Sequence, residues 1–210
     1  MNFTKTIKYF LLIFFLPIWY LQKLIIRNKK IWVFGAWNGK EFSDNPKVLF
    51  EYVLSNQKHN IIPVWITKNK KIYNKLSSEG VPCEYAYSLS GVITCLKSAF
   101  VIIGSGKKDV NEFAINGATV INTWHGAPMK KIGLDYIKNS KLKFFLIKNL
   151  YPFFWDYDID YLVSTHTVFN DKLSSAFQIS SSKILITGYP RNDLVDNNKN
   201  KNIFLEKLKL

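Results

Sequence analysis

Between residues 31 and 190 the chain carries short runs of β-branched and aromatic residues separated by stretches of helical periodicity, and this rhythm restricts the fold more than any other feature. The runs are IWVFG (31–35), IIPVWIT (61–67), FVIIGSG (100–106), ATVINTW (118–124), DYLVSTH (160–166) and KILITGYP (183–190). They are apolar at consecutive positions, as strands covered on both faces require. Between the first two lies SDNPKVLFEYVLSN, where Asp44 or Asn45 can cap a helix and Pro46 can occupy its first turn. Val48, Leu49, Tyr52 and Val53 then form its apolar stripe. Similar crossovers are expected at 69–78, 88–98 and 166–178. The fold class that follows is α/β, a Rossmann-like parallel sheet with right-handed connections.

At 210 residues the chain is long enough for one complete α/β domain, expected over 31–195. Residues 1–30 read as a separate membrane-associating segment. YFLLIFFLPIWYL (9–21) is flanked by Lys5 and Lys8 on one side and by Lys23, Arg27, Lys29 and Lys30 on the other. It falls short of the roughly 20 apolar residues that span a bilayer. Gln22-Lys23-Leu24 stands where the small residues of a signal-peptide cleavage site would be. Three readings remain: a helix in the membrane interface with Trp19 and Tyr20 at headgroup level, a tilted or re-entrant insertion, and an ordinary buried first helix. Cys83 and Cys95 lack CxxC spacing and fit core thiols in a reducing compartment.

The net charge of +14, from 29 Lys and Arg against 15 Asp and Glu, favours a polyanionic partner such as anionic lipid or a phosphate polymer. A sequence-specific nucleic-acid reader is disfavoured, because Lys outnumbers Arg and no zinc-finger, RNP1-like or tandem basic-helix pattern occurs. The densest basic stretch is MKKIGLDYIKNSKLKFFLIKNLY (129–151), carrying Lys130, Lys131, Lys138, Lys141, Lys143 and Lys148 beside Leu134, Ile137, Phe145 and Leu146. It suits either an amphipathic contact with lipid or polyanion, or a solvated cationic face over core residues.

Of the three histidines, His59 sits in a polar turn and His166 follows a strand, where it can cap a helix or line a cleft. His125 differs. It stands in INTWHGAPMKKIG, at the C-terminal end of an apolar run, where open α/β sheets place their ligands. Trp124 and Gly126 flank it, Gly126 permitting close backbone approach, and Lys130 and Lys131 can hold phosphate beside an imidazole that titrates near neutrality. Such a histidine can take a proton from an attacking hydroxyl, although a strand-end histidine is also often structural. TGYPRND (187–193) combines Gly188, Tyr189-Pro190, Arg191 and Asp193 and reads either as an anion-binding loop or as a plain strand-to-helix turn. GSGKKD (104–109) lacks P-loop spacing and carries no catalytic expectation.

Together, FGAWNGKEFSDNPKVLFEYVL, NTWHGAPMKKIG and TGYPRND match in type, order and spacing the markers of the CDP-glycerol glycerophosphotransferase family, which this chain resembles over about residues 31–195. The resemblance implies the N-terminal, acceptor-side half of a GT-B architecture at the cytoplasmic face of the membrane. It implies transfer of glycerol phosphate, or ribitol phosphate, from CDP-glycerol or CDP-ribitol to a teichoic-acid-like or capsular polyol-phosphate polymer or lipid-linked primer. No metal or other cofactor is implied. In that family the histidine of the WHG motif is the proposed general base, which maps onto His125. Asn45, Lys130, Lys131, Arg191 and Asp193 are further candidates for polar contacts in the cleft. Family members continue into a second, donor-binding domain, whereas residues 196–210 here read as the start of a linker or helix. The donor site is accordingly expected from a separate C-terminal half, or missing. The competing reading is a non-catalytic membrane-bound module that binds anionic polymer or lipid.

Overall fold

The computed structural model describes residues 12–56, 60–136 and 141–196. The first eleven residues with Lys5 and Lys8, His59, Ile137, Lys138 and residues 197–210 lie outside them, as do the side chains of Lys141 and Lys143. Among the described residues run seven strands: β1 Asn28–Gly35, β2 Ile62–Thr67, β3 Cys83–Tyr85, β4 Ser98–Ile103, β5 Thr119–Asn122, β6 Tyr161–Ser164 and β7 Ile184–Ile186. They form one sheet in the order β3-β2-β1-β4-β5-β6-β7, with every neighbouring pair parallel. Each of the six expected runs holds a strand, and the expected crossovers appear as helices Asp44–Ser55, Lys70–Ser78, Leu89–Lys97 and Asn170–Phe177.

The consecutive apolar residues are explained by helices on both sides of the sheet. Side chains alternate faces along a strand. Val33, Ile66, Val101 and Ile103 therefore enter one core with Cys95, Ile115, Leu162 and Leu173, while Phe34, Trp65 and Ile102 enter the other with Phe50, Val53 and Leu76. Phe34, Phe42, Phe50 and Trp65 meet edge to face, with centroids 4.7 to 5.9 Å apart. β3 was not anticipated. It is a three-residue edge strand with a central Glu84 and half-buried side chains, so it contributes no apolar run.

Helix Leu16–Leu21 docks one face on the amino-terminal edge of the sheet. Trp19 is only 3% exposed there, so it does not stand at headgroup level as expected. Its carbonyl accepts from Asn116 Nδ2 at 2.7 Å, and the Gln22 side chain donates to Phe113 O and accepts from Asn116 N. Arg27 closes the dock by donating to the carbonyls of Cys95, Ser98 and Asn116. Ile18, Leu21, Leu24 and Ile26 remain exposed on the outer side with Lys23, Lys29 and Lys30. Among the described residues no helix is long and apolar enough to cross a membrane.

Candidate active site

The chain order runs outward from β1 to β3 on one side and from β4 to β7 on the other, so the connections diverge between β1 and β4. The carboxyl ends of such strands bound the ligand crevice of open α/β sheets. Three loops meet there, following β1, β4 and β5. Gly35 lets the first two touch, since a Cβ at this position would lie 2.2 Å from Asp109 O.

His125 lies on the loop after β5 and is half-buried. Its Nδ1 is 3.0 Å from Gly104 O. A carbonyl can only accept, so Nδ1 carries the proton and the neutral ring keeps its lone pair on Nε2. Trp124 and Trp37 flank the imidazole, with centroids 4.0 and 5.4 Å from it. The surrounding backbone is constrained. Trp37, Asn38, Asp44 and Trp124 all have φ between 49° and 66°, a region that costs non-glycine residues about 1–3 kcal/mol each. Such conformations persist only where neighbouring contacts fix them.

Those contacts come from Asp109, which accepts from Asn38 N, from Asn45 at Trp124, and from the loop after β7 at Asp44. Asn45, at the start of helix Asp44–Ser55 and fully buried, donates from Nδ2 to Trp124 O at 2.7 Å and accepts from Arg191 N at 3.1 Å. The Arg191 guanidinium donates to Asp44 Oδ1 and to His125 O, both at 2.7 Å, while Tyr189 Oη donates to Gly126 O at 2.9 Å. Thus TGYPRND is bolted to the histidine loop. Beside it, Trp37, Phe42, Ser43, Asp44, Lys47, Val48, Arg191 and Leu194 line an open crevice of about 380 Å³.

A comparison with protein families matches residues 18–209 to CDP-Glycerol:Poly(glycerophosphate) glycerophosphotransferase. The chain belongs to this family. It is 32% identical over 188 residues to the teichoic acid glycerol-phosphate transferase of Staphylococcus aureus, covering 87% of this chain and 46% of that protein. It is 26% identical over 187 residues to the teichoic acid poly(glycerol phosphate) polymerase of Bacillus subtilis, covering 86% and 24%. A solved structure of the wall teichoic acid polymerase TagF superposes with a TM-score of 0.63 at 25% identity, over 86% of this chain and 43% of that one. The chain thus spans about half or less of the length of these relatives.

In this glycerophosphotransferase-family chain, His125, Trp124, Gly126, Asn45 and Arg191 converge at the switch point, but Asn45 and two donors of the Arg191 guanidinium are engaged by the protein's own loops. Gly126 is open, with no atom within 4 Å of where a Cβ would stand. Lys130 and Lys131 are exposed and line a different basin of about 720 Å³ with Met129, Ile132, Leu134, Asp135 and Lys172. Asp193 is exposed at the start of the short helix Asp193–Asp196. His166 takes the capping role, its Nδ1 accepting from Val168 N at 3.1 Å. Among the described residues no three His, Cys, Asp or Glu side chains gather as a metal-binding group.

Sequence reasoning missed Asp109. Its carboxylate is fully buried and accepts four backbone N–H groups, from Asn38 at 2.7 Å, Gly104 at 2.9 Å, Ser105 at 2.7 Å and Gly106 at 3.4 Å. Burial pushes this carboxyl above the usual carboxylate range, and the four amides oppose that push. The available signal was an aspartate closing a Gly-Ser-Gly loop at a strand end, since Asp commonly ties such turns through backbone amides.

Proposed function

We propose that this chain is the acceptor-side portion of a transferase that moves glycerol phosphate, or a related polyol phosphate, from a CDP-activated donor to a teichoic-acid-like polymer or lipid-linked primer. His125 acts as the general base. The observation that carries this reading is the Nδ1 hydrogen bond to Gly104 O, which leaves the ring's lone pair on Nε2 just past the carboxyl end of β5. Nε2 takes the proton of the acceptor hydroxyl as its oxygen bonds to the transferred phosphorus, and the P–O bond to CMP breaks. CDP-glycerol or CDP-ribitol serves as donor substrate without a further cofactor. Its nucleotide is held by the donor-binding half that the family resemblance implies. Trp124 and the open backbone at Gly126 shape the acceptor's approach, while Lys130 and Lys131 meet more distant phosphates of a long polyanionic acceptor and Asp193 accepts from its hydroxyls.

Attachment to the cytoplasmic face of the membrane is part of this reading. The exposed Ile18, Leu21, Leu24 and Ile26 beside Lys23, Lys29 and Lys30 support it, because an apolar face bordered by cations binds anionic lipid. Sedimentation with anionic vesicles is expected to weaken as salt rises, and salt-insensitive binding counts against the electrostatic part.

The catalytic reading is tested by replacing the matching portion of the S. aureus transferase with this chain and following labelled CDP-glycerol into polymer. Transfer is expected, and His125→Gln should lower it about 10²- to 10⁴-fold. Transfer by the chimera that survives His125→Gln overturns the assignment of the base.

A further inference from the structure

We infer that Asp109 is a positioning residue that sets the imidazole of His125, acting through the two loops its carboxylate ties together. One oxygen, Oδ2, gathers the amides of Gly104, Ser105 and Gly106, and so fixes where the Gly104 carbonyl points. That carbonyl is the acceptor for His125 Nδ1. The other oxygen, Oδ1, accepts from Asn38 N and fixes the loop after β1, where Trp37 stands in the left-handed region with its ring against the imidazole. A single buried carboxylate therefore holds both the partner that selects the protonated nitrogen and an aromatic wall that limits ring rotation. Four converging amides also explain why this position needs a carboxylate. An amide side chain offers one oxygen, and its NH2 group would oppose backbone N–H groups on the other side.

The inference rests on His125 as the base only for its catalytic consequence; the geometry itself is read without any transfer assay. Long-range ¹H–¹⁵N spectra of the imidazoles, taken above their titration range, distinguish protonated Nδ1 from protonated Nε2. In the wild-type chain His125 is expected to be protonated on Nδ1. His166, whose Nδ1 accepts from Val168 N, is expected to be protonated on Nε2 and serves as an internal reference of opposite sign. In Asp109→Asn, His125 should become a mixture of tautomers or favour Nε2–H while His166 is unchanged. Where that variant loses the His166 signature through unfolding, Asp109→Glu, whose extra methylene moves both oxygens off the amides they gather, is the second variant, and the same change of the His125 tautomer is expected. A wild-type His125 protonated on Nε2 overturns the inference without any variant, and so does an unchanged His125 tautomer in a folded Asp109 variant. In the chimeric transferase, Asp109→Asn should lower kcat about 10- to 100-fold, as misplacement of a reacting group does, with KM little changed. If the tautomer responds while transfer ignores His125→Gln, the general-base reading falls and the positioning by Asp109 stands.

Discussion

Asn45→Ala isolates the bolt between two loops distant in sequence. Asn45 has no exposed surface, and its side chain makes one bond to Trp124 O and one from Arg191 N, bridging 79 and 146 positions of chain. Truncation leaves a buried acceptor and a buried donor unpaired, each costing about 1–3 kcal/mol. Both partners sit on a partly solvated rim where water can repair some of the loss, so the lower half of that range applies to each, and about 2–4 kcal/mol is expected in total. Urea unfolding of wild type and variant, followed by tryptophan fluorescence, measures this as a lower midpoint at unchanged slope. Asn45→Asp keeps the acceptor for Arg191 N but turns a carboxylate toward the Trp124 carbonyl, so it should not rescue stability at neutral pH. A loss below about 0.5 kcal/mol for Asn45→Ala, the range of ordinary surface substitutions, would refute the view that Asn45 holds the loops together.

Two glycines of the site should respond oppositely to alanine. Gly35→Ala drives a Cβ into the Asp109 backbone at 2.2 Å and should cost about 1–3 kcal/mol, whereas Gly126→Ala meets open space and should stay within about 0.5 kcal/mol by the same unfolding measurement. Burial pushes the thiols of Cys83 and Cys95 up to about 12 from 9.0, so in the folded chain they stay protonated where an unfolded chain has ionised. The folded state then binds more protons, and unfolding free energy should decline as pH rises through that window. Iodoacetamide at pH 8 should leave Cys95 unmodified by mass spectrometry until denaturant is added, and equal rates with and without denaturant would contradict its burial.

Strands and helices were legible wherever one local pattern determined them. Consecutive apolar residues such as Val101, Ile102 and Ile103 belong to a strand with cores on both faces, and no tertiary information was needed to see it. Cys83–Tyr85 escaped because an edge strand packs one side only and leaves no run to read. His125 was visible because the end of a strand is a geometric position that sequence can specify. The roles of Asn45 and Arg191 were not, since a polar side chain near a crevice looks alike whether it faces a ligand or a loop 146 residues away. Asp109 was harder still, because its partners are backbone amides that carry no residue-type signature. Trp19 looked interfacial on hydropathy, and only the contacts of its ring with Phe153 and the Lys107 ammonium distinguish a packed indole from a lipid-facing one.

The bolt between residues 44–45 and 191 also orders events during synthesis. The strands flanking the crevice, β1 and β4, and the loop that carries His125 leave the ribosome well before Arg191 does. A chain ending at Pro190 holds the residues of all seven strands and Tyr189, yet it has no guanidinium to grip Asp44 and the His125 carbonyl and no residue-191 amide for Asn45. The histidine loop therefore cannot reach its final setting before Arg191 is in place.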